Sequence, residues 1–257
     1  MKITVITVSY NSATTIADTL RSVASQTHPN IEHWVIDGQS TDSTVEVVEG
    51  LRHPNLLLSS EKDKGIYDAM NKGLTRATGD VVGFLNADDF FADADVVARV
   101  AKAFEGDSSV DVCFGDLLYI SEDKQSVVRY WKSQPFITGS FARAWSPAHP
   151  TFYIRRSALG RMGGFDLSYR LAADTEMMMR YLEKGRVSSV YIPQVQVRMR
   201  VGGETNRSLC NIFRQNKEIF RALQKNGVPY SLISFMLYKL ASRFRQRCAV
   251  SRLKGSV

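Results

Sequence analysis

Cysteine is scarce in this sequence. The three present, Cys113, Cys210 and Cys248, are odd in number and far apart, with no CxxC pair and no histidine at ligand spacing. That argues against a disulfide framework or a zinc finger and fits a reducing compartment. No apolar run reaches the roughly 18 residues that a membrane-crossing helix needs. The opening Met1-Lys2-Ile3-Thr4-Val5-Ile6-Thr7-Val8 is too short and too Thr-rich for a signal-peptide core, and its β-branched content argues for a strand. Internal repeats and low-complexity linkers are missing as well. What remains is ordinary globular usage, 44% hydrophobic and 23% charged over 257 residues. That length can bury a sizeable core, as one large domain or a domain with an extension.

Acidic residues are nearly missing from one region. Residues 198–257 carry 13 Lys and Arg against 2 acids, a net +11, whereas residues 1–197 carry 20 against 24, a net −4. The overall +7 therefore belongs to a basic tail. Such a tail suits nucleic acid, an anionic membrane surface or an acidic partner, and composition alone does not choose among them.

The first hundred residues alternate short β-branched runs with helical patterns. Ile3 to Val8 reads as a buried strand, then a helix over about 13–25 with Ile16, Leu20 and Val23 on one face. Trp34 to Ile36 is a second strand, and Ser40-Thr41-Asp42 starts a helix carrying Val45, Val48 and Leu51. Leu56 to Leu58, a helix over 66–77, a strand over 81–85 and a helix over about 94–104 follow. This alternation implies an α/β fold with a doubly wound, mostly parallel sheet, whose ligand crevice lies at the carboxyl ends of the strands. After residue 107 the pattern becomes mixed. Strands are expected over 111–120, 126–131, 152–154, 187–192 and 195–199, with a helix over 172–184 ending before Gly185, and tail helices over about 208–226 and 230–247.

Asn11, Asp37, Asn86, Asp88 and Asp89 all fall just after such strands. Phe84-Leu85-Asn86-Ala87-Asp88-Asp89-Phe90 delivers acids into the crevice, which suits Mg²⁺ or Mn²⁺, ions that share their coordination between a few carboxylate oxygens and substrate phosphates. Capping of the next helix competes for these acids. Asp89 is the better cap candidate, which leaves Asp88 for the metal. Asp37 at a strand end can accept hydrogen bonds from a base or a ribose, while Ser40 and Asp42 are accounted for by a turn and a helix cap. His149 precedes a strand aimed at the same crevice, as a metal or acceptor ligand or as a structural histidine. Arg198 and Arg200, before Gly202-Gly203, are either cations for a diphosphate or the start of the basic tail.

Taken in order, Thr7-Val8-Ser9-Tyr10-Asn11-Ser12, Ile36-Asp37-Gly38-Gln39-Ser40-Thr41-Asp42, Glu61 through Gly73, Ala77-Thr78-Gly79-Asp80 and Leu85-Asn86-Ala87-Asp88-Asp89 resemble glycosyltransferase family 2, the inverting enzymes of GT-A fold. The likeness is specific over about residues 2–92. It continues more loosely through His149-Pro150-Thr151, Gly163-Gly164-Phe165-Asp166 and Ala173-Asp174-Thr175-Glu176 to about residue 205. Gly65-Ile66-Tyr67-Asp68-Ala69-Met70-Asn71-Lys72-Gly73 looks most like the branch building colanic acid, related exopolysaccharides or O-antigen.

The resemblance implies that Thr7, Ser9, Tyr10 and Asp37 hold the base and ribose of a nucleoside-diphosphate sugar, with Gly65 and Asn71 on the donor side. The family's Asp-x-Asp element stands here as Asn86-Ala87-Asp88. Asn86 keeps a hydroxyl contact, and Asp88 becomes the main protein ligand of Mg²⁺ or Mn²⁺, His149 being a further candidate. Asp174 matches the catalytic base, with Ala173 where relatives often carry Glu, and Glu176 is a weaker stand-in. The implied layout is a catalytic domain over 1–205, with a nucleotide-sugar half over 1–107 and an acceptor half over 108–205, then a basic helical extension over 206–257.

In the second tail helix Ile233, Leu237, Leu240 and Phe244 recur at helical spacing, with cations on other faces. This fits either an interfacial helix on anionic headgroups or a helix packed on the body. A polyprenyl-diphosphate-linked saccharide acceptor, implied by the resemblance, favours the membrane and a cytoplasmic enzyme peripheral to the inner face of the cytoplasmic membrane. Two other classes compete. A nucleotidyltransferase making the activated sugar would show a Gly-rich basic loop where Ser9-Tyr10-Asn11-Ser12-Ala13 stands. A nucleic-acid-binding protein is disfavoured by the net acidic body, so no nucleic-acid partner is expected.

Overall fold

The computed structural model describes residues 1–201 and 209–254. Strand β1 (Ile3–Ser9) is buried along its whole length, as a near-continuous β-branched run must be when helices cover both faces of its sheet. It lies parallel to β2 (Ile31–Asp37) on one side and to β4 (Val81–Phe84) on the other, and β3 (Leu56–Ser60) extends β2. Between them run α1 (Ile16–Ala24), α2 (Thr44–Gly50) and α3 (Ile66–Arg76), and α4 (Val96–Glu105) follows β4.

The second half adds antiparallel and parallel partners to the same sheet. The two-residue β5 (Phe90–Phe91) is followed in sequence by β6 (Val112–Ile120), β7 (Val127–Trp131), β8 (Tyr153–Arg155) and β9 (Ser189–Arg200). The spatial order is β3-β2-β1-β4-β8-β6-β9-β5, with β7 paired to β6. Helix α5 (Arg156–Met162) follows β8 and stops at Gly163, whose φ of 77° with ψ of 171° is a backbone conformation that glycine alone adopts readily. Helix α6 (Ala173–Met179) passes into a π-helical turn at Arg180–Lys184. The tail forms α7 (Leu209–Lys225) and α8 (Leu232–Lys254).

Four elements differ from the sequence expectation. Residues 187–192 and 195–199 join into the single strand β9, because Pro193 sits in a bulge where the register moves from Phe114↔Tyr191 to Asp116↔Val195. Strand β5 and helix α5 were not expected. Asp89 caps no helix: α4 starts only at Val96 with Asp95 before it, and the intervening Phe90 and Phe91 pair with Arg198 and Val197 of β9.

Alternation along β1 sends Ile6 and Val8 to one side of the sheet and Ile3 and Val5 to the other. The first side is filled by α3, α5 and α6, and also by Ile219, Ala222, Leu223, Val228 and Phe235. Residues of the tail thus share the main core.

Candidate active site

Parallel pairing brings the carboxyl ends of β1, β2 and β3 level, with Ser9 opposite Asp37 and Asp37 opposite Ser60. The buried Asp37 carboxylate is caged there. Its Oδ1 accepts from Ser9 Oγ at 3.2 Å and Ser40 Oγ at 2.5 Å, and its Oδ2 from Ser40 N at 2.9 Å and Ser60 Oγ at 2.7 Å. Four donors fill the lone pairs of a carboxylate. Tyr10 stands exposed beside this cage. Gly38 lets Asp63 close in on the backbone beside Tyr10: a Cβ there would lie 2.5 Å from Asp63 Oδ2, which would have to move. Asn11 and Gln39 hold positive φ at the same edge, a conformation that concentrates at functional loops. Thr7 points elsewhere: its Oγ1 lies 2.9 Å from Nε2 of the buried His33, and both are fully buried.

Strand β4 delivers the next group. Leu85 N donates to Ile6 O, and the chain then turns through Asn86, Ala87 and Asp88. Ala87 packs on Ile16, Leu20, Val35 and Val48, anchoring the turn from below. Among the described residues no side chain hydrogen-bonds the Asp88 carboxylate, and burial raises its pKa, so it holds its proton more tightly than an exposed carboxylate. Asp89 is wholly buried. Burial and the neighbouring Asp88 charge push it well above the usual carboxylate range, and its Oδ1 and Asn86 Oδ1 both lack a partner. Arg200 holds the turn from behind. Its guanidinium donates to Asp88 O and to the Asp18 carboxylate, which also takes Lys124 Nζ. Arg200 is therefore a buried latch, Arg198 lies in β9 pairing with Phe90, and Gly202 and Gly203 lie outside the described residues.

The third group faces these from α6. Tyr67, in the first turn of α3, donates its hydroxyl to Asp174 Oδ1 at 3.1 Å. Burial, then the Asp174 charge, raise the Tyr67 phenol well above its ordinary value, so it stays a donor. His149 stacks on Phe84, the last residue of β4, and meets Phe165 edge-on. Burial lowers its proton affinity against the opposing pull of Asp174, and its Nε2 has no partner. Asn71 is spent on backbone, with Nδ2 on Phe165 O and Oδ1 on Phe165 N, both at 2.9 Å. Gly65 caps α3 with a φ of 118°, its N–H on Asp63 Oδ1. Glu176 is fully buried and tied to Arg180 and Lys225.

Two residues with clear tasks here carry no local signal in the sequence. Glu218 of α7 accepts from the N–H groups of Arg170, Leu171 and Ala172, which lead into α6. Ser60 completes the Asp37 cage from β3.

Among the described residues no group of three His, Cys, Asp or Glu side chains could hold a metal by itself, so His149 does not join Asp88 in a ready-made cage. Asp88 fits a divalent ion as one carboxylate ligand, with no side-chain hydrogen bond among the described residues. Trp145 packs on Phe114 and Phe141 within the core.

Helix α8 packs through Phe235, edge-on to Phe220 of α7. Ile233, Leu237, Leu240 and Phe244 remain 62–75% exposed on another face. Among the described residues no helix is long and apolar enough to cross a membrane.

A family model described as Glycosyl transferase family 2 matches residues 4–166. The chain is similar to an uncharacterized glycosyltransferase of Mycobacterium tuberculosis, 34% identical over 180 residues, 69% of this chain and 68% of the relative. It is also similar to a PGL/p-HBAD biosynthesis glycosyltransferase of Mycobacterium bovis, 33% identical over 174 residues, 66% of this chain and 65% of the relative. Among solved structures, S. aureus TarS 1-349 in complex with UDP-GlcNAc superposes with a TM-score of 0.67 at 23% identity, covering 89% of this chain and 66% of that one. The mannosyltransferase PcManGT of Pyrobaculum calidifontis, in complex with GDP-Man and Mn²⁺, gives 0.61 at 20% identity, covering 94% and 79%.

Proposed function

The chain belongs to glycosyl transferase family 2 and is a glycosyltransferase of GT-A fold, and from that premise we propose that it transfers a sugar from a nucleoside-diphosphate sugar, with inversion, to a lipid-linked saccharide. The observation that carries the reading is the Tyr67–Asp174 hydrogen bond, Tyr67 lying in the first turn of α3 beyond the carboxyl end of β3, beside the edge that carries Asp37 and Asp88.

Tyr10 offers its exposed ring to the base, while Asp37 works through the hydroxyls of Ser9, Ser40 and Ser60. A ribose or base donor that reached Asp37 would replace one of them. Asn86 keeps one unpartnered acceptor for a donor hydroxyl. Thr7 and Asn71 act indirectly, Thr7 in the sheet and Asn71 by fixing the Phe165 loop. Asp88 would hold Mg²⁺ or Mn²⁺ together with substrate oxygens, and the ion would offset charge growing on the diphosphate.

Asp174 Oδ2 is left for the acceptor because Tyr67 occupies Oδ1. The carboxylate takes the acceptor hydroxyl proton as that oxygen bonds to C1. The bond from C1 to the diphosphate oxygen breaks on the opposite face, and its electron pair leaves with the nucleoside diphosphate. His149, kept neutral by burial, borders the acceptor side. Residues 1–107 form the donor half and 108–205 the acceptor half, with the tail completing the latter.

What supports a lipid-linked acceptor, as in exopolysaccharide or O-antigen assembly at the inner face of a membrane, is the exposed apolar face of α8 within the +11 tail. The test is Asp174→Asn. Donor binding, read as the thermal shift given by UDP or GDP with Mn²⁺, should persist while transfer to acceptor falls at least 1000-fold. Retained transfer rejects the base, and no metal-dependent shift by any nucleoside diphosphate rejects the donor site.

A further inference from the structure

A cavity of about 510 Å³ opens between α7 and the loop entering α6, lined among others by Arg170, Arg214, Lys217, Arg221, Phe220 and Tyr230. Arg214, Lys217 and Arg221 fall at i, i+3 and i+7 of α7, so three cations share one helix face at a spacing where like charges destabilise a helix. The one acid among the described residues lining the cavity, Glu218, is turned onto the N–H groups of Arg170, Leu171 and Ala172. Arg221 is fixed structurally, over the Tyr169 ring at 3.8 Å and donating to Ser168 O at 2.7 Å. Arg170, Arg214 and Lys217 form no ion pair among the described residues. A concave site with this unbalanced charge is built for an anion. Arginine and lysine together, with aromatic walls from Phe220 and Tyr230, match a phosphate or diphosphate carrying an apolar chain.

Position narrows the ligand. Leu171 lines the cavity and lies three residues before Asp174, so the chain keeps the two within roughly 11 Å. The cavity and Asp174 thus border the same short segment entering α6. We infer that this cavity is the acceptor's anion subsite, taking the diphosphate of a prenyl-linked saccharide while its sugar hydroxyl meets Asp174. The inference rests on the glycosyltransferase reading above and deepens it.

The test titrates wild-type protein and the Arg214→Gln/Lys217→Gln double variant, in metal-free buffer, with inorganic pyrophosphate, geranyl diphosphate and geraniol. Both replaced side chains are exposed, so the variant should melt with the wild type. Geranyl diphosphate should bind the wild type at least fivefold more tightly than pyrophosphate, geraniol should not bind, and the double variant should lose at least tenfold for both anions. Equal anion affinity in the variant, or no binding to the wild type, overturns the subsite. Pyrophosphate binding as tightly as geranyl diphosphate overturns the lipid-linked assignment. UDP with Mn²⁺ is titrated separately and should bind both proteins alike. Its failure to bind would sink the donor reading while leaving the anion result legible.

Discussion

Replacing Glu218 tests whether the tail is part of the catalytic unit. Its carboxylate receives N–H groups from Arg170, Leu171 and Ala172, at 2.8 to 3.1 Å. Those groups precede the first hydrogen-bonded turn of α6, where a helix leaves donors without internal partners and where negative charge is favoured. Glu218→Ala removes all three bonds. Water can reach the N–H of exposed Arg170, but Ala172 is fully buried, and an unsatisfied buried donor costs about 1–3 kcal/mol. With the lost charge at the helix start the total is about 2–4 kcal/mol, which for a chain of this size lowers the melting temperature by about 6–12 °C. Asp174 lies only two residues beyond Ala172, so the base should also lose its setting. The expected kinetic signature is at least a tenfold fall in kcat with donor KM unchanged, about 1.4 kcal/mol in the barrier. Glu218→Gln, which keeps one acceptor oxygen, should recover part of both losses. A variant that loses the full stability yet turns over at the wild-type rate would refute the coupling of α7 to the base.

Two further outcomes follow from other parts of the molecule. Burial, with a smaller contribution from His53, holds the His33 imidazole down at about 3 against an ordinary 6.5, so the unfolded chain binds the proton first and stability falls as pH drops from 6.5 toward 3. At pH 5 that costs about 2 kcal/mol, and His33→Gln should flatten the fall in melting temperature between pH 7 and 5; an unchanged slope places the acid sensitivity elsewhere. On α8, Leu237→Glu with Leu240→Glu alters only exposed positions. Sedimentation with phosphatidylglycerol vesicles should weaken roughly 100-fold or more at an unchanged melting temperature, and undiminished binding would remove the apolar face as the membrane contact.

The elements legible in the sequence were those whose signal is local. Strands β1, β2 and β4 are short β-branched or apolar runs that end at polar residues, so the edge carrying Asp37 and Asp88 followed from strand order alone. Tyr67 and Asp174 were each visible in a motif, but their hydrogen bond spans 107 positions and had no local mark. The same holds for Arg200, whose partner Asp18 is 182 residues away, and for β5, a pair of phenylalanines that is a strand only because β9 lies beside it. Thr7 and Asn71 looked like ligand contacts because hydroxyls and amides at strand ends and helix starts serve both ligands and the chain's own backbone. The partners His33 and Phe165, which decide between those uses, are likewise remote in sequence.

The basic tail has to be understood through that same remoteness. Its charge suggested a detachable address, yet Ile219, Ala222 and Leu223 fill the core beside α6, and Glu218 holds the loop ahead of Asp174. Truncation after β9 would therefore uncover apolar surface and unseat the base at once, so lost activity in a truncated chain could not be assigned to lost membrane contact. The body is net acidic, so a diphosphate-bearing acceptor of the kind proposed would approach it against that charge. The α7 cations that line the cavity would offset that repulsion locally. Helix α8, packed on α7 through Phe235 and Phe220, then presents its exposed apolar face from the same pair of helices. Under the proposed function, charge and apolar surface in the tail would serve one geometric end, bringing an anionic lipid-linked sugar to Asp174.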